Sequence, residues 1–508
     1  MKTNKILTLL LVFFITLSCS DSFLDNPPED SLVVDNFFNT DDQVFASGSA
    51  LYGFPWFYFG GEKFILALDT YAGNGVGAYS DLKQFEDFAL TGTNQFLNEG
   101  WDSLWNVVAT SNTLLNNLET KVGDGVSEEM KNNVMGEAYF MRATAYFYIV
   151  RTWGAVPIIY TMEQYANTEL AHKNPVEDIY KFIINDYTKA SQLLPIQWAN
   201  AEGRVVRSAC DAFLSKVYLT MKDYAKAKTY AEKVINDGQF GLLPNYGDVF
   251  REENNNSRES IFALQWIGCS EWGYGSTLQA YLAANSKLTG FGDGWGTFQP
   301  SIELVATYEE GDLRRHETIM EPGDYYEDLV TEEGGYTVPE DGLTSTIAGF
   351  RKYLVGPPGD TEYETCFMRT GLNTPMMRYA DVLLIHAEAI LGTQASTSDA
   401  AALESFNAVR TRAGLEAKTE ITSNDIFHER QLEFVLEGDY WYDLARRNRS
   451  DALAIIANQE RGTYNDRNVE ELNSKHVTPS DADFLFPIPS SEIDSNPNLA
   501  GEPVPFEF

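Results

Sequence analysis

A mostly helical fold, built from antiparallel helix pairs and interrupted by one loop-rich insertion with short strands, is predicted by three features. Apolar residues recur at three-to-four spacing over long stretches. Small residues sit at fixed offsets in a pattern suited to close helix pairing. Between about residues 240 and 363 this periodicity gives way to glycine, aromatics and turn residues. The chain has 508 residues and is 44% hydrophobic, enough for a large core.

The first helical stretch begins near Ser103, where Trp101, Trp105, Val108 and Asn112 recur and Leu114, Leu115 and Leu118 continue the face. A second spans Val134–Val150, with Ala138, Met141, Ala145 and Tyr148 on one side and Gly154 and Pro157 ending it. A third covers Val176–Leu194 and stops at Pro195. The clearest unit is Ala209–Asp237. Ser215 and Tyr218 precede an Asp223-Tyr224 turn, and Ala227, Ala231 and Val234 follow. Small side chains at these offsets let two helices approach closely, which is the tetratricopeptide pattern. Tyr379–Leu391 and Ala400–Val409 read as a degenerate second copy. Trp101, Trp105 and Trp441 lie at helical spacing and are expected in the core, as is Trp266 at the end of the short strand Ser260–Trp266.

At the N-terminus, Lys2 and Lys5 precede an apolar run from Ile6 to Leu17, and Ser18-Cys19 follow. This is a charged start, a short apolar segment and a small residue before cysteine, so residues 1–18 are expected to be a lipoprotein signal peptide with Cys19 as the lipid-attachment residue. Asp21, Asp25, Glu29 and Asp30 surround Pro27-Pro28, which makes residues 19–30 an acidic flexible stalk. No further apolar run reaches membrane length, so contact with the membrane is expected through the N-terminal lipid only. Residues 31–508 form the remaining single fold.

The formal net charge is −37, which repels phosphate backbones and excludes nucleic acid as a partner. Three cysteines remain beyond Cys19, namely Cys210, Cys269 and Cys366; one bridge is possible and one thiol is left over. No zinc-binding His-Glu-x-x-His helix, Cys-x-x-Cys pair or Gly-x-Ser-x-Gly elbow occurs. Gly73-x-Gly75-x-x-Ala78 imitates a dinucleotide turn but lacks a strand before it and a helix after it. No metal site, cofactor or catalytic residue is therefore expected. Glu429, Glu433 and Glu437 lie one helical turn apart, and such like charges need cations; Arg378, Arg410, Arg430 and Arg446 are the candidates for a structural ion-pair network. Asp381 and Glu388 read the same way.

Seven blocks, in order along nearly the whole chain, resemble the SusD/RagB family of outer-membrane nutrient-binding lipoproteins. They run from Gly136–Tyr148 with Gly154-Ala-Val-Pro157, through Leu214–Leu219 with Asp223-Tyr224, and Pro300 with Glu303-Leu304, Tyr308 and Gly311–Arg314. Met377–Leu384 with Ala387-Glu388-Ala389, and Asn407–Arg410 with Arg412-Ala-Gly414, continue them. Glu429-Arg430 with Glu433-Phe434, Glu437-Gly438 and Asp443-Leu444, then Phe486–Pro489 with Glu492-Ile493 and Asn496-Pro-Asn498, complete the set. Ala500-Gly-Glu-Pro departs from the usual family ending. The resemblance implies a SusD-like fold of four tetratricopeptide-like helix pairs beneath a variable ligand face. It also implies a cell-surface protein of the outer membrane that captures oligosaccharide or polysaccharide and hands it to a SusC-like TonB-dependent transporter.

A sugar ring has an apolar face and a polar rim, so a glycan site needs flat aromatics beside hydrogen-bonding groups. Trp272-Gly273-Tyr274 and Gly294-Trp295-Gly296 place rings next to glycines that cannot cover them. Trp272, Tyr274, Tyr281 and Trp295 are the candidate stacking residues, with Gln279, Asn285 and Asp293 nearby. A second glycine-rich stretch offers Tyr71, Asn74, Tyr79 and Asp81. The acidic balance favours a neutral glycan. Two other readings stand beside this one: a tetratricopeptide-like scaffold binding a protein or peptide, which pull-down would distinguish, and a glycoside hydrolase, which a reducing-sugar assay would distinguish.

Overall fold

The computed structural model describes residues 37–508 except 162, 165–169, 200–201 and 466–467. The signal segment, the stalk and Cys19 lie outside the described residues. The elements used below are helices α1 (Phe64–Ala72), α2 (Ser80–Glu86), α3 (Gln95–Thr120), α4 (Glu128–Trp153), α5 (Val176–Leu193), α6 (Arg207–Thr220), α7 (Tyr224–Asp237), α8 (Tyr379–Leu391), α9 (Ala400–Arg412), α10 (Ser423–Glu433), α11 (Tyr440–Arg446) and α12 (Arg449–Asn458).

α3 starts where Asn94 accepts a hydrogen bond from the Leu97 amide, and it turns Phe96, Leu97, Trp101, Leu104, Val108 and Leu115 inward. α4 starts at Ser127, whose hydroxyl caps the Met130 amide, and ends at Gly154 with φ 74°. From Phe140 to Trp153 every residue of α4 is buried, so this half of the helix is enclosed on all sides and acts as the hub of the array. Its buried Arg142 is matched by Asp186 of α5 at 2.7 Å and by the Asn112 side chain of α3 at 2.7 Å. α3 and α5 flank α4; α6 packs on α5, α7 on α6, α8 on α7 and α9 on α8. The hairpin α6/α7 turns through Met221, Lys222 and Asp223, with Asp223 capping α7, and buries Ala227, Ala231 and Val234. The array is the tetratricopeptide-like scaffold expected from the small-residue spacing. Trp101, Trp266 and Trp441 are buried and Trp105 is partly buried against the same core.

The loop-rich excursion is closed by one ladder. Ser260–Leu264 pairs antiparallel with Thr374–Arg378, which runs directly into α8. The irregular stretch therefore returns at Thr374, beyond Tyr363. A second short ladder, Gly75–Gly77 against Phe298–Pro300, ties the excursion to the N-terminal helices.

Beneath the excursion lies a buried ion-pair network. Glu433 meets Arg378 at 2.9 Å and Arg314 at 3.3 Å, and it also pairs with Arg412. Glu429 pairs with Arg314 at 2.6 Å and with Arg410 at 3.3 Å; Glu437 pairs with Arg378 and Lys352, both at 2.8 Å. Of the expected cations, Arg378 and Arg410 serve the glutamate triplet. Arg430 instead serves Asp381 and Asp443, and Arg446 serves Glu388 and Asp443. Burial works to raise the Glu433 carboxyl, but Arg412, Arg378 and Arg314 hold it down to about 2. Such pairs fix geometry more than they add net stability, yet removing one member costs about 3–5 kcal/mol.

Candidate functional site

The solvent face of the excursion is assembled from four loops, at residues 53–60, 267–276, 293–296 and 363–370. Their backbone is braced. Ile267 N donates to the Tyr274 carbonyl at 2.8 Å, Ser276 and Thr370 exchange hydrogen bonds, and Arg369 Nη1 donates to the Ser270 carbonyl at 2.5 Å. A Cys269–Cys366 disulfide with a Cα separation of 5.0 Å joins two of these loops, and Cys210 is the buried free thiol. Of the pairings open to the three cysteines, this is the one that the fold selects.

On this frame stand exposed rings. Trp272 is 49% exposed and rests edge-on against Phe57, centroids 5.2 Å apart. Tyr274 lies tilted over Phe54 at 5.4 Å. Between them, Gly273 has φ 93°, and a Cβ there would sit 2.7 Å from the Phe54 ring. Only glycine lets both neighbours project outward while Phe54 slides beneath. Trp295 is held the same way by Gly294 (φ 86°) and Gly296 (φ 55°), and its amide donates to the Ala280 carbonyl at 3.0 Å. It contacts Tyr281 at 5.4 Å and Phe367 at 6.1 Å.

Tyr281 is buried; it backs Trp295 and donates its hydroxyl to Glu62 Oε1 at 3.0 Å. Burial, reinforced by Glu62, drives that phenol above its usual range. Tyr79 is 39% exposed and meets the Tyr281 ring edge-on at 6.5 Å. Lys63 bridges Glu62 at 3.0 Å and Glu99 at 3.8 Å while lying over the Tyr281 ring, so polar and charged groups border the aromatic row. Asp81 is half-buried and accepts from the Gln95 amide at 3.1 Å, at the start of α3.

Three expected residues are core instead: Tyr281, which backs Trp295, and Tyr71 and Asn74. Tyr71 is 2% exposed, packed among Phe85, Phe88, Trp441 and Phe486, and its hydroxyl donates to the Asp483 carbonyl. Asn74 is fully buried between Asp69 and Gln431. The glycines around them serve clearance, not openness: a Cβ on Gly75 would strike Phe298 at 2.4 Å. Gln279 and Asp293 are likewise buried, holding backbone at Val355 and Met368. Conversely, Phe54, Tyr58 and Phe367 are exposed on the same face and carry no sequence signal that separates them from core aromatics. Behind the Phe54–Tyr274 pair opens a cavity of about 710 Å³, walled by Phe45, Tyr52, Arg204 and Gln265.

Solvent-facing rings thus stand on braced loops that a helical-repeat array carries. The chain belongs to the SusD family. The SusD family model matches residues 258–503, and a model described as starch-binding, associating with outer membrane, matches residues 62–219. A SusD-like protein of Bacteroides ovatus is 32% identical over 99% of this chain and 98% of its own length. A crystal structure solved with xylogluco-oligosaccharide is 31% identical, with TM-score 0.84 over 92% of this chain and 99% of that one. A laminarin-binding SusD-like protein, 23% identical, shares the fold with TM-score 0.72 over 90% of this chain and 98% of that one.

Proposed function

We propose that this protein binds a neutral oligosaccharide or polysaccharide across the face bearing Trp272, Tyr274 and Trp295. The carrying observation is that three rings flanked by positive-φ glycines stand out of one disulfide-braced surface, each with its other side already packed. Stacked sugar faces bury against such rings, and the polar border satisfies hydroxyls. A relative crystallised with xylogluco-oligosaccharide supports this ligand class. The net charge of −37 favours an uncharged glycan. Calorimetry against xyloglucan and laminarin oligosaccharides, with an uncharged glycan array behind it, tests the reading; absence of any glycan binding by the folded protein would remove it.

The protein acts, in this reading, at the outer membrane, tethered by a lipid on Cys19, and delivers glycan to a SusC-like TonB-dependent transporter. Among the described residues no helix is long and apolar enough to cross a membrane. Replacing Cys19 with Ala should release the protein from membranes, and gentle solubilisation of the native membrane should recover it with a large barrel protein. Retention of the variant, or recovery of monomer alone after cross-linking, would count against these two steps separately.

A further inference from the structure

We propose that a pocket on the helical array, at the end of α4 and the turn between α11 and α12, is an oxyanion site for a phosphate-type group. The cavity measures about 660 Å³. Five cationic side chains line it, Arg151, Lys222, Arg446, Arg447 and Arg449; among the described residues no carboxylate side chain does, and Glu388 and Asp451 face the adjoining pocket. In a chain of net charge −37 this concentration of cations is opposite to the average surface.

The cations differ in how far they are already satisfied. Arg446 is held by Glu388 and Asp443, and Arg449 lies 3.6 Å from Asp481. Arg151 is buried and stacked on Phe147 and Tyr442; its Nη1 lies 3.7 Å from Asp439 and its Nε donates to the Phe147 carbonyl, while its Nη2 has no hydrogen-bond partner. Among the described residues neither Lys222 nor Arg447 pairs with a carboxylate. Arg447 is spread over the Phe427 ring at 4.2 Å and donates to Asn424 at 2.5 Å. Lys222 sits at the α6/α7 turn with φ 60°, its side chain exposed. Asn448, the N-cap of the ten-residue α12, lines the same pocket and brings the positive end of that helix to it, with Asp451 of the first turn lying on the side of the adjoining pocket. Burial holds the Arg447 and Arg449 guanidinium groups below their usual range, a cost that a bound anion would offset. A tetrahedral oxyanion suits this geometry because arginine forks and an ammonium donate from several sides. The group comes either as free phosphate or on a lipid headgroup.

The test uses the soluble chain, titrated calorimetrically with inorganic phosphate and sulfate at low salt, and in parallel sedimented with phosphatidylglycerol or phosphatidylcholine vesicles. Saturable phosphate binding is expected, weakened about tenfold or more in a Lys222→Asn, Arg447→Gln double variant and unchanged in Trp272→Ala. Asparagine tolerates the left-handed backbone at 222, and the single Lys222→Asn variant serves if the double variant does not fold. Binding confined to the anionic phosphatidylglycerol vesicles assigns a lipid source; binding of the free ion assigns a soluble one. No saturable binding in either arm, or binding unaltered in the folded variants, would overturn the proposal.

Discussion

Replacing Trp272 with Ala removes a ring that is 49% exposed and packed through one edge on Phe57. A tryptophan ring offers roughly 250 Å² in all, so about 120 Å² faces solvent. A sugar stacked on one face covers about half of that, roughly 60 Å². At about 25 cal/mol per Å² the lost contact is worth about 1.5 kcal/mol, or roughly tenfold in Kd. Folding loses about 3 kcal/mol by the same measure, because roughly 130 Å² of the ring packs on the protein, chiefly against Phe57. The two effects separate in one experiment, calorimetry with the array-selected oligosaccharide beside thermal unfolding of the same sample. An unchanged Kd in a variant still folded at the assay temperature would show that Trp272 touches no ligand. An equal loss of binding and of melting temperature would show that the ring only supports the loop.

Opening the Cys269–Cys366 bridge by the double serine substitution should weaken glycan binding several-fold and raise amide exchange at residues 267–276. Because the Ser260–Leu264 ladder still closes the excursion, the unfolding free energy should fall by less than the about 4–5 kcal/mol that loop closure over this length would suggest; a full loss, with exchange unchanged, would refute the local role. Glu433→Gln leaves Arg378, Arg412 and Arg314 under-neutralised and should destabilise by about 3–5 kcal/mol in urea titration. With its folded value near 2 and the usual value at 4.5, Glu433 contributes stability above pH 4.5 that is lost as pH falls toward 2; the variant should lack that part of the acid slope. Glu137 behaves oppositely. Burial raises its carboxyl to about 7 despite Arg204, so the folded state keeps a proton that the unfolded chain releases above 4.5. Stability should therefore decline from pH 4.5 to 7 by about 3 kcal/mol from this group, with Asp69, raised by burial to about 6, adding to the slope. Glu137→Gln should flatten this decline, and an unchanged profile would contradict it.

The helices were legible because their apolar spacing is also their packing. α8 matches its expected bounds and α5 falls one residue short of its own, since Leu194 takes extended backbone before Pro195. α3 begins eight residues before the expected Ser103 because the N-cap at Asn94 precedes the first tryptophan of the stripe. Seen from sequence, the glutamate triplet called for cations but could not show that Arg314, Arg412 and Lys352 arrive from the excursion and from α9. The candidate site was half legible for a physical reason. Glycine beside an aromatic signals two opposite situations. At Gly273, Gly294 and Gly296 the backbone takes positive φ and the ring is pushed out; at Gly75 and Gly77 the missing Cβ admits Phe298 and Leu82, and Tyr71 and Asn74 are sealed in. Local sequence carries no record of which applies, because the deciding neighbour lies far along the chain.

The ladder that closes the excursion has its own consequence. The chain leaves the array at Leu264 and re-enters it at Thr374, and these two residues face one another across the same pair of strands. The intervening hundred-odd residues are thus a cassette with adjacent ends, seated on a docking post that the ion network beneath keeps rigid. The same junction gives an engineer two splice points, and a transplanted segment must bring cations in place of Arg314 and Lys352, which neutralise Glu429, Glu433 and Glu437 of the scaffold.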